Sequence, residues 1–435
     1  MVGASGVFMH VAIIGNGIAG VTAARTLRKR DPKARITMIS AESEHHWSRP
    51  ALMYIYMGHM RYQDTKPYQD HFWGKNRIDL VRGWVTQIDA EGKTLTLDGQ
   101  RTVQWDKLLI ATGSKPNMFG WPGQDLNRVS GMYSLQDMDA LEGWTRDIKH
   151  GVVVGGGLIG IELAEMLHSR GRHVTMLVRE ASYWDNALPA EESAMVNEVI
   201  RATGIDLRLG AEMASIEDDG TGSVGAVQIK DGELLDAQYV GLTAGVRPNI
   251  TVTEGSSIET ARGILVNNRL QTNHPDIYAA GDCAEIRTPE GERNTIQAVW
   301  YTGRFQGEQV ANNMVGDAGD YDAGLWFNSA KFIDIEYQVY GNVPASSTQH
   351  TSGLDYVFWK HDNGKHSVRI CHKDGVVVGF NLMGVRFRHK VCEDWILQAK
   401  PLDYVLKNLR QAAFDPEFAK RHDSAIRAAA TGASA

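Results

Sequence analysis

Apolar positions along this chain fall into two kinds of run. A short continuous run from His10 to Ile14 predicts a strand buried on both faces of a parallel sheet. It ends at a glycine-rich turn, and an amphipathic helix follows through Thr26 and Lys29. A second β-rich run, Ile36 to Ile39, leads to Glu42. From His150 the same pattern returns: an apolar run, a glycine turn, a helix and a β-rich run ending at Arg179-Glu180. Between the two copies, residues 79–105 alternate through Val81, Val85, Ile88, Leu95 and Leu97, with turns at Glu91-Gly92 and Asp98-Gly99. That predicts a small antiparallel insertion. A buried strand then runs through Leu108 to Ile110 into Ala111-Thr112-Gly113. Ala51 to Met57 predicts a short helix starting at Pro50. A strand ending at Gly281-Asp282 and a helix over about residues 295–314 follow. From about Tyr321, Ile333, Ile335, Tyr337 and Val339 alternate with polar residues, and Asp374-Gly375 joins two further strands as a hairpin turn. Two helices, around Lys390 to Gln398 and Leu402 to Gln411, precede a disordered AATGASA.

The glycines in the two turns have separate reasons. Gly15, Gly17 and Gly20 form G-x-G-x-x-G: the first permits a tight turn, the second lets backbone approach a pyrophosphate, and the third lets helix and strand pack closely. The helix start offers free N–H groups and a positive dipole end to phosphates. Glu42 stands where an acid meets a ribose hydroxyl. Gly155, Gly157 and Gly160 repeat the motif, with a shorter helix–strand connection, so that Thr37 pairs with Thr175, Ala41 with Arg179 and Glu42 with Glu180. Two such units imply two dinucleotides and electron movement between them.

With 435 residues, the chain is expected to form two or three domains. A hydrophobic content of 43%, a charged content of 22% and a net charge of −7 describe a soluble protein whose main partner is neither nucleic acid nor an anionic membrane. No signal-peptide pattern precedes His10, and Glu162 and Glu165 interrupt the longest apolar stretch, Val152 to Leu167. With only Cys283, Cys371 and Cys392 and no CxxC, a disulfide framework is excluded and a cytoplasmic setting is expected. Adjacent His45 and His46 lack further ligands at metal spacing, so no metal is expected.

In the order in which they occur, these motifs resemble the two-dinucleotide-binding-domain flavoprotein reductases. That group includes ferredoxin and rubredoxin reductases, apoptosis-inducing-factor-like proteins and the pyridine nucleotide–disulfide reductases. The markers are the two glycine motifs, Ser48-Arg49-Pro50, Ala111-Thr112-Gly113, Gly245-Val246-Arg247-Pro248-Asn249 and Ala280-Gly281-Asp282. The resemblance implies an α/β fold with two Rossmann-like domains and an α+β C-terminal domain. The FAD-binding domain would comprise residues 1–115 and 241–320, the NAD(P)H-binding domain 116–240, and the interface domain 321–435. It further implies FAD with its pyrophosphate at Gly15 to Gly20 and its ribose at Glu42. Arg49 and Pro50 would lie beside the flavin, Thr112 and Gly113 would line the site, and Gly281 and Asp282 would reach the ribitol or phosphate. In relatives the C-terminal domain often serves as a dimer interface, so a homodimer is an open expectation.

Departures from the pattern sharpen the expectation. The redox cysteines of the disulfide reductases are missing, which argues against disulfide chemistry through them. Ferredoxin-reductase relatives carry a lysine where Tyr54 stands, paired with the glutamate matched by Glu162, so both residues are candidates for catalytic roles and Lys66 is a substitute cation. In the second unit Arg179 suits a 2′-phosphate and Glu180 a ribose, and the sequence leans to NADPH. The leading expectation is an FAD-dependent NAD(P)H oxidoreductase passing electrons to a ferredoxin- or rubredoxin-type protein, which would dock on Arg386, Arg388, His389 and Lys390. The alternatives are an NAD(P)H oxidase or a quinone or ferric reductase, and a flavin-based redox sensor with slow turnover.

Overall fold

The computed structural model describes residues 8–289, 292–415 and 417–432. They form two compact units. The first takes the chain up to Asn117, then Tyr133–Gly143 and Val246–Ala323; the second takes Met118–Met132, Trp144–Gly245 and the chain from Gly324 onward. Among the described residues no helix is long and apolar enough to cross a membrane.

In the first unit a five-stranded parallel sheet runs in the order Ile277–Ala279, Lys107–Ile110, His10–Ile14, Arg35–Ser40, Ile78–Arg82. The central strand is buried through Val11, Ala12 and Ile13, as a continuous apolar run requires when both faces are covered. Helix Ile18–Arg30 returns from the glycine turn and packs against helix Trp300–Met314. Their approach depends on Gly307, where a side chain would drive into the carbonyl oxygen of Ala19. The antiparallel meander is confined to Val85–Asp89, Thr94–Leu97 and Arg101–Gln104, and its Ile88, Leu95 and Leu97 join the same core. Residues 79–82, expected in that insertion, instead belong to strand Ile78–Arg82 and extend the parallel sheet, because their partner is Arg35–Ser40. A 3-10 turn at Arg49–Ala51 leads into the short helix Leu52–Tyr56.

The second unit opens with another five-stranded parallel sheet, ordered Asp206–Leu209, His173–Val178, His150–Val154, Tyr239–Leu242, Val129–Ser130. The internal repeat extends to side-chain detail. His10 Nε2 and Thr37 Oγ1 are 2.9 Å apart in the first unit, as are His150 Nε2 and Thr175 Oγ1 in the second. Gly15 N–H donates to Ile39 O and Gly155 N–H to Leu177 O at equivalent points. Pairing Thr37 with Thr175 therefore holds in three dimensions.

An antiparallel five-stranded sheet completes the second unit, in the order Phe327–Phe332, Ile335–Gly341, Val376–Met383, Ser367–Lys373, Asp355–Lys360. One face packs Val368, Ile370, Phe380 and Leu382 against the apolar sides of helices His389–Leu397, Leu402–Ala412 and Asp423–Ala430. The other carries Arg369, only 1% exposed, toward Glu191 and Glu192 of helix Ala190–Ala202. Ile333, expected in a strand, sits at a hairpin turn with φ 56°, while Asp374 and Gly375 make the expected turn with φ 52° and 80°. The expected disordered tail begins inside a helix instead, since Ala429 and Ala430 close Asp423–Ala430; residues 433–435 lie outside the described residues.

Candidate cofactor sites

The first glycine loop is shaped by contacts that only hydrogen satisfies. Gly15 has φ +110°, and a methyl group there would penetrate the carbonyl oxygen of Ala111. One at Gly20 would penetrate the carbonyl oxygen of Gly15. At Gly17 a methyl group would meet nothing within 4 Å. Gly17 is also the cap of helix Ile18–Arg30, without a side-chain partner for the first-turn N–H groups. An open glycine before free N–H groups is a cradle for a diphosphate.

Around it the structure gathers the other expected residues of the first unit. Arg49 donates two hydrogen bonds to the Glu42 carboxylate, at 2.9 and 2.6 Å, and a further one to the carbonyl of Tyr133. Its guanidinium lies 5.1 Å from the Trp47 ring centre and 4.4 Å from that of Tyr133. Glu42 Oε1 also accepts from the Leu135 N–H at 3.1 Å. Glu42 and Arg49, expected at different parts of one cofactor, are thus partners of each other. Asp282 accepts from Ser114 Oγ at 2.9 Å, and burial pushes its carboxyl above the ordinary carboxylate range. Tyr133 Oη accepts from the Ser114 N–H at 2.9 Å, and Gly281 N–H donates to Gln306 Oε1 at 2.7 Å. Thr112 Oγ1 is spent on Asn249 O at 2.6 Å, and Asn249 N–H returns a bond to Gly113 O at 2.9 Å, which fixes this loop. Pro50 opens the 3-10 turn beside Arg49. The donor set fits FAD: a bare glycine cradle, an acid at the strand end, and a buried aspartate at the far glycine. Tyr133, Leu135 and Ser114 carry no sequence signal for this role.

The second loop repeats the design. Gly155 has φ +129°, and a methyl group there would lie 2.6 Å from Thr243 O; Gly157 is open, and Gly160 sits against the carbonyl of Gly155. Tyr183, fully buried, donates from its hydroxyl to Gly157 O at 2.9 Å and so pins the loop from behind. Arg179 and Glu180 form an ion pair at 2.9 Å, the guanidinium 72% exposed and the carboxylate 30%. Glu162 lies near the start of helix Leu158–Ser169, where burial and the charge of Glu165 push its carboxyl up to about 7. The cation beside these acids is Lys331, 2.7 Å from Glu165 Oε1. Lys66, the expected substitute, is instead held by Asp70 at 2.5 Å in the first unit. Tyr54 belongs to helix Leu52–Tyr56 of the first unit, its ring against His59.

The remaining expectations resolve simply. His46 is buried with Nδ1 2.8 Å from Asn16 O, and burial drives its imidazole down to about 4, which keeps it neutral. Arg386 is paired with Glu336 and Lys390 with Asp394 and Glu393, while the His389 ring lies against Phe327 and Tyr340. The expected basic docking cluster is therefore largely neutralised by its own neighbours. All three cysteines are free and buried, and burial raises each thiol, that of Cys371 to about 12. Native protein is accordingly expected to resist thiol reagents: incubation with N-ethylmaleimide should leave nucleotide-driven flavin reduction unchanged. Rapid inactivation would place a reactive thiol in the electron path.

Residues 9–307 match the pyridine nucleotide-disulphide oxidoreductase family. The chain belongs to that family. The chain is 30% identical over 309 residues to the assimilatory nitrate reductase electron transfer subunit of Bacillus subtilis (strain 168), covering 71% of this chain and 39% of that protein. It is 32% identical over 278 residues to the nitric oxide reductase FlRd-NAD(+) reductase of Klebsiella pneumoniae (strain 342), covering 63% and 72% respectively. It thus spans about two fifths of the first relative. A ferredoxin reductase from Rhodopseudomonas palustris superposes with a TM-score of 0.77 at 26% identity, covering 86% of this chain and 91% of that one.

Proposed function

We propose that the first unit holds FAD and that the parallel sheet of the second unit holds a nicotinamide nucleotide. The chain would take hydride from the nucleotide onto FAD and pass electrons to a small redox protein of ferredoxin or rubredoxin type. The observation that carries this reading is the pair of equivalent glycine loops, each with one open glycine and an acid at the same repeat position. When bound, the flavin supplies the conversion of a two-electron hydride into single electrons. The protein's own part is positioning. Gly15, Gly17 and Gly20 would receive one diphosphate, and Gly155, Gly157 and Gly160 the other. Glu42 would meet the flavin-side ribose while Arg49 fixes its carboxylate, and Asp282 would face the ribitol. The relatives support the acceptor class, since two are described as an electron transfer subunit and a FlRd-NAD(+) reductase.

The ion pair at the end of strand His173–Val178 bears on the donor. Arg179 alone would attract a 2′-phosphate, but its charge is taken up by Glu180, which would itself repel a phosphate and accept from a ribose hydroxyl. This arrangement favours NADH over NADPH. Mixed anaerobically, the holoprotein is expected to lose oxidised-flavin absorbance faster with NADH. Glu180→Gln is expected to narrow that preference by about tenfold, ~1.4 kcal/mol in discrimination. Faster bleaching by NADPH would return the role to Arg179. Bleaching by neither nucleotide would sink the reductase reading and favour a flavin-bearing sensor. Turnover with a purified ferredoxin or rubredoxin, against oxygen or a quinone alone, tests the acceptor.

A further inference from the structure

The hairpin between strands Asp355–Lys360 and Ser367–Lys373 ends in two histidines opposite each other. The ladder pairs Lys360 with Ser367, and one step further the His361 N–H donates to His366 O at 2.9 Å. A third histidine, His422, comes from the cap position of helix Asp423–Ala430. The three rings form a triangle with centres 5.3, 5.8 and 5.9 Å apart, and the His422 ring lies 4.5 Å from that of Trp359. Among the described residues no group of three ligating side chains is placed to hold a metal ion. The helix is otherwise fastened by Ile426, buried in the apolar cluster that includes Trp359 and Leu406. At eight residues it is too short to persist alone, so docking and helicity go together.

The triangle is built for neutral rings. The Asn363 N–H donates to His361 Nδ1 at 3.1 Å, so that nitrogen carries no proton and the ring no charge. An imidazolium at His422 would stand at the positive end of the helix dipole. A single charge there has the Trp359 ring and Asp423 to offset it, but a second would be added beside an existing imidazolium. The surrounding charges supply little further relief. In the hairpin Lys365 pairs with Asp334, Lys360 with Glu198 at 3.7 Å, and Asp362 is exposed. From the helix side come Lys420, Asp423 and Arg427, the last donating to Leu406 O at 3.5 Å. Burial first, and then the neighbouring histidines and Lys420, hold His366 and His422 below the ordinary imidazole value.

We propose that His361, His366 and His422 are a proton-operated latch, which holds helix Asp423–Ala430 on the sheet while neutral and releases it, uncovering Trp359, when the cluster takes up more than one proton. Histidines freed with the helix return to about 6.5, so the undocked form binds more protons than the docked one. Docking is therefore full above about pH 7.5 and weakens as pH falls through about 6.5, by up to about tenfold per unit for each histidine kept neutral.

Hydrogen exchange of the full chain, corrected for intrinsic rates and read by mass spectrometry between about pH 5 and pH 8, tests the latch. Amides of residues 423–430 should lose protection at least about tenfold between about pH 7.5 and pH 5.5, while helix His389–Leu397 keeps its own. His366→Gln, in the hairpin, and His422→Gln, at the helix, should each retain protection at pH 8 and make the acid loss shallower. A flat wild-type profile, a parallel loss in helix His389–Leu397, or a wild-type slope in both variants overturns the inference. Protection lost at every pH in both variants overturns it as well, because the rings would then act by packing alone.

Discussion

Gly15→Ala is expected to yield a protein that purifies without flavin and melts well below the wild type. Two costs add at this one position. The backbone sits at φ +110°, where an L side chain is strained by about 1–3 kcal/mol. The new methyl group also collides with the carbonyl oxygen of Ala111, which directly follows strand Lys107–Ile110 and is held by its own N–H donating to Ile14 O at 2.8 Å. Gly17→Ala is the control, because its methyl group meets nothing and its φ of −68° suits any residue. That variant should fold normally yet bind FAD weakly, its methyl standing where a diphosphate would rest. Flavin absorbance per polypeptide and the thermal midpoint distinguish the two. A Gly15→Ala protein carrying full flavin at wild-type stability would show that the loop does not cradle the cofactor.

The second large effect lies at Arg369. Its guanidinium is 1% exposed, bonded to Glu192 at 2.8 and 2.9 Å and to Glu191 at 2.6 Å, and it lies 4.0 Å from the Tyr356 ring centre. Glu192 is 0% exposed. Arg369→Met therefore strands a buried carboxylate and is expected to cost about 3–5 kcal/mol. Arg369→Met combined with Glu192→Met should recover most of the loss, since apolar replacement of a whole buried pair is often neutral. The pH dependence has a definite sign. Burial pushes the Glu192 carboxyl up and Arg369 pulls it down, so removing Arg369 raises it further above its unfolded value. A raised carboxyl loses stability as pH climbs through it, so the deficit of the single variant should be small near pH 4 and largest above neutrality. Urea unfolding at both ends of that range decides the matter; an equal deficit at both would assign the loss to packing alone.

Much of the fold was legible because it is written in local periodicity. His10–Ile14 and His150–Val154 could be read as buried strands, and the glycines after them as turns, from residues within one short window. The equivalence of Thr37 and Thr175 needed only the repeat, and a matching histidine contact supports it. Ile78–Arg82 was misread because alternation alone does not say which sheet a strand joins. What the site adds beyond the motifs is long-range. Arg49 meets Tyr133 across 84 positions, Lys331 meets Glu165 across 166, and Arg369 meets Glu192 across 177. Arg49 stands in a local marker, but its partner Tyr133 does not, and Lys331 and Arg369 are ordinary residues in their own neighbourhoods. In the basic run from Arg386 to Lys390, local sequence shows the cations and the Glu393 and Asp394 partners of Lys390 but not Glu336, which pairs with Arg386 from 50 positions away.

The strand order of the first unit has a consequence for how the protein is made. Leu108, Leu109 and Ile110 sit on a strand whose outer neighbour is Ile277–Ala279, and helix Ile18–Arg30 is covered by Trp300–Met314. On the ribosome, every strand of the second unit's parallel sheet, through Tyr239–Leu242, emerges before either partner does. At roughly 5–20 residues per second, that delay is on the order of ten seconds. A nascent chain therefore carries an open, apolar sheet edge while its second sheet is already complete, and Gly281 and Asp282 have not yet been translated. Completion of the first sheet, and of any site that needs Gly281 and Asp282, is consequently a late event in biosynthesis.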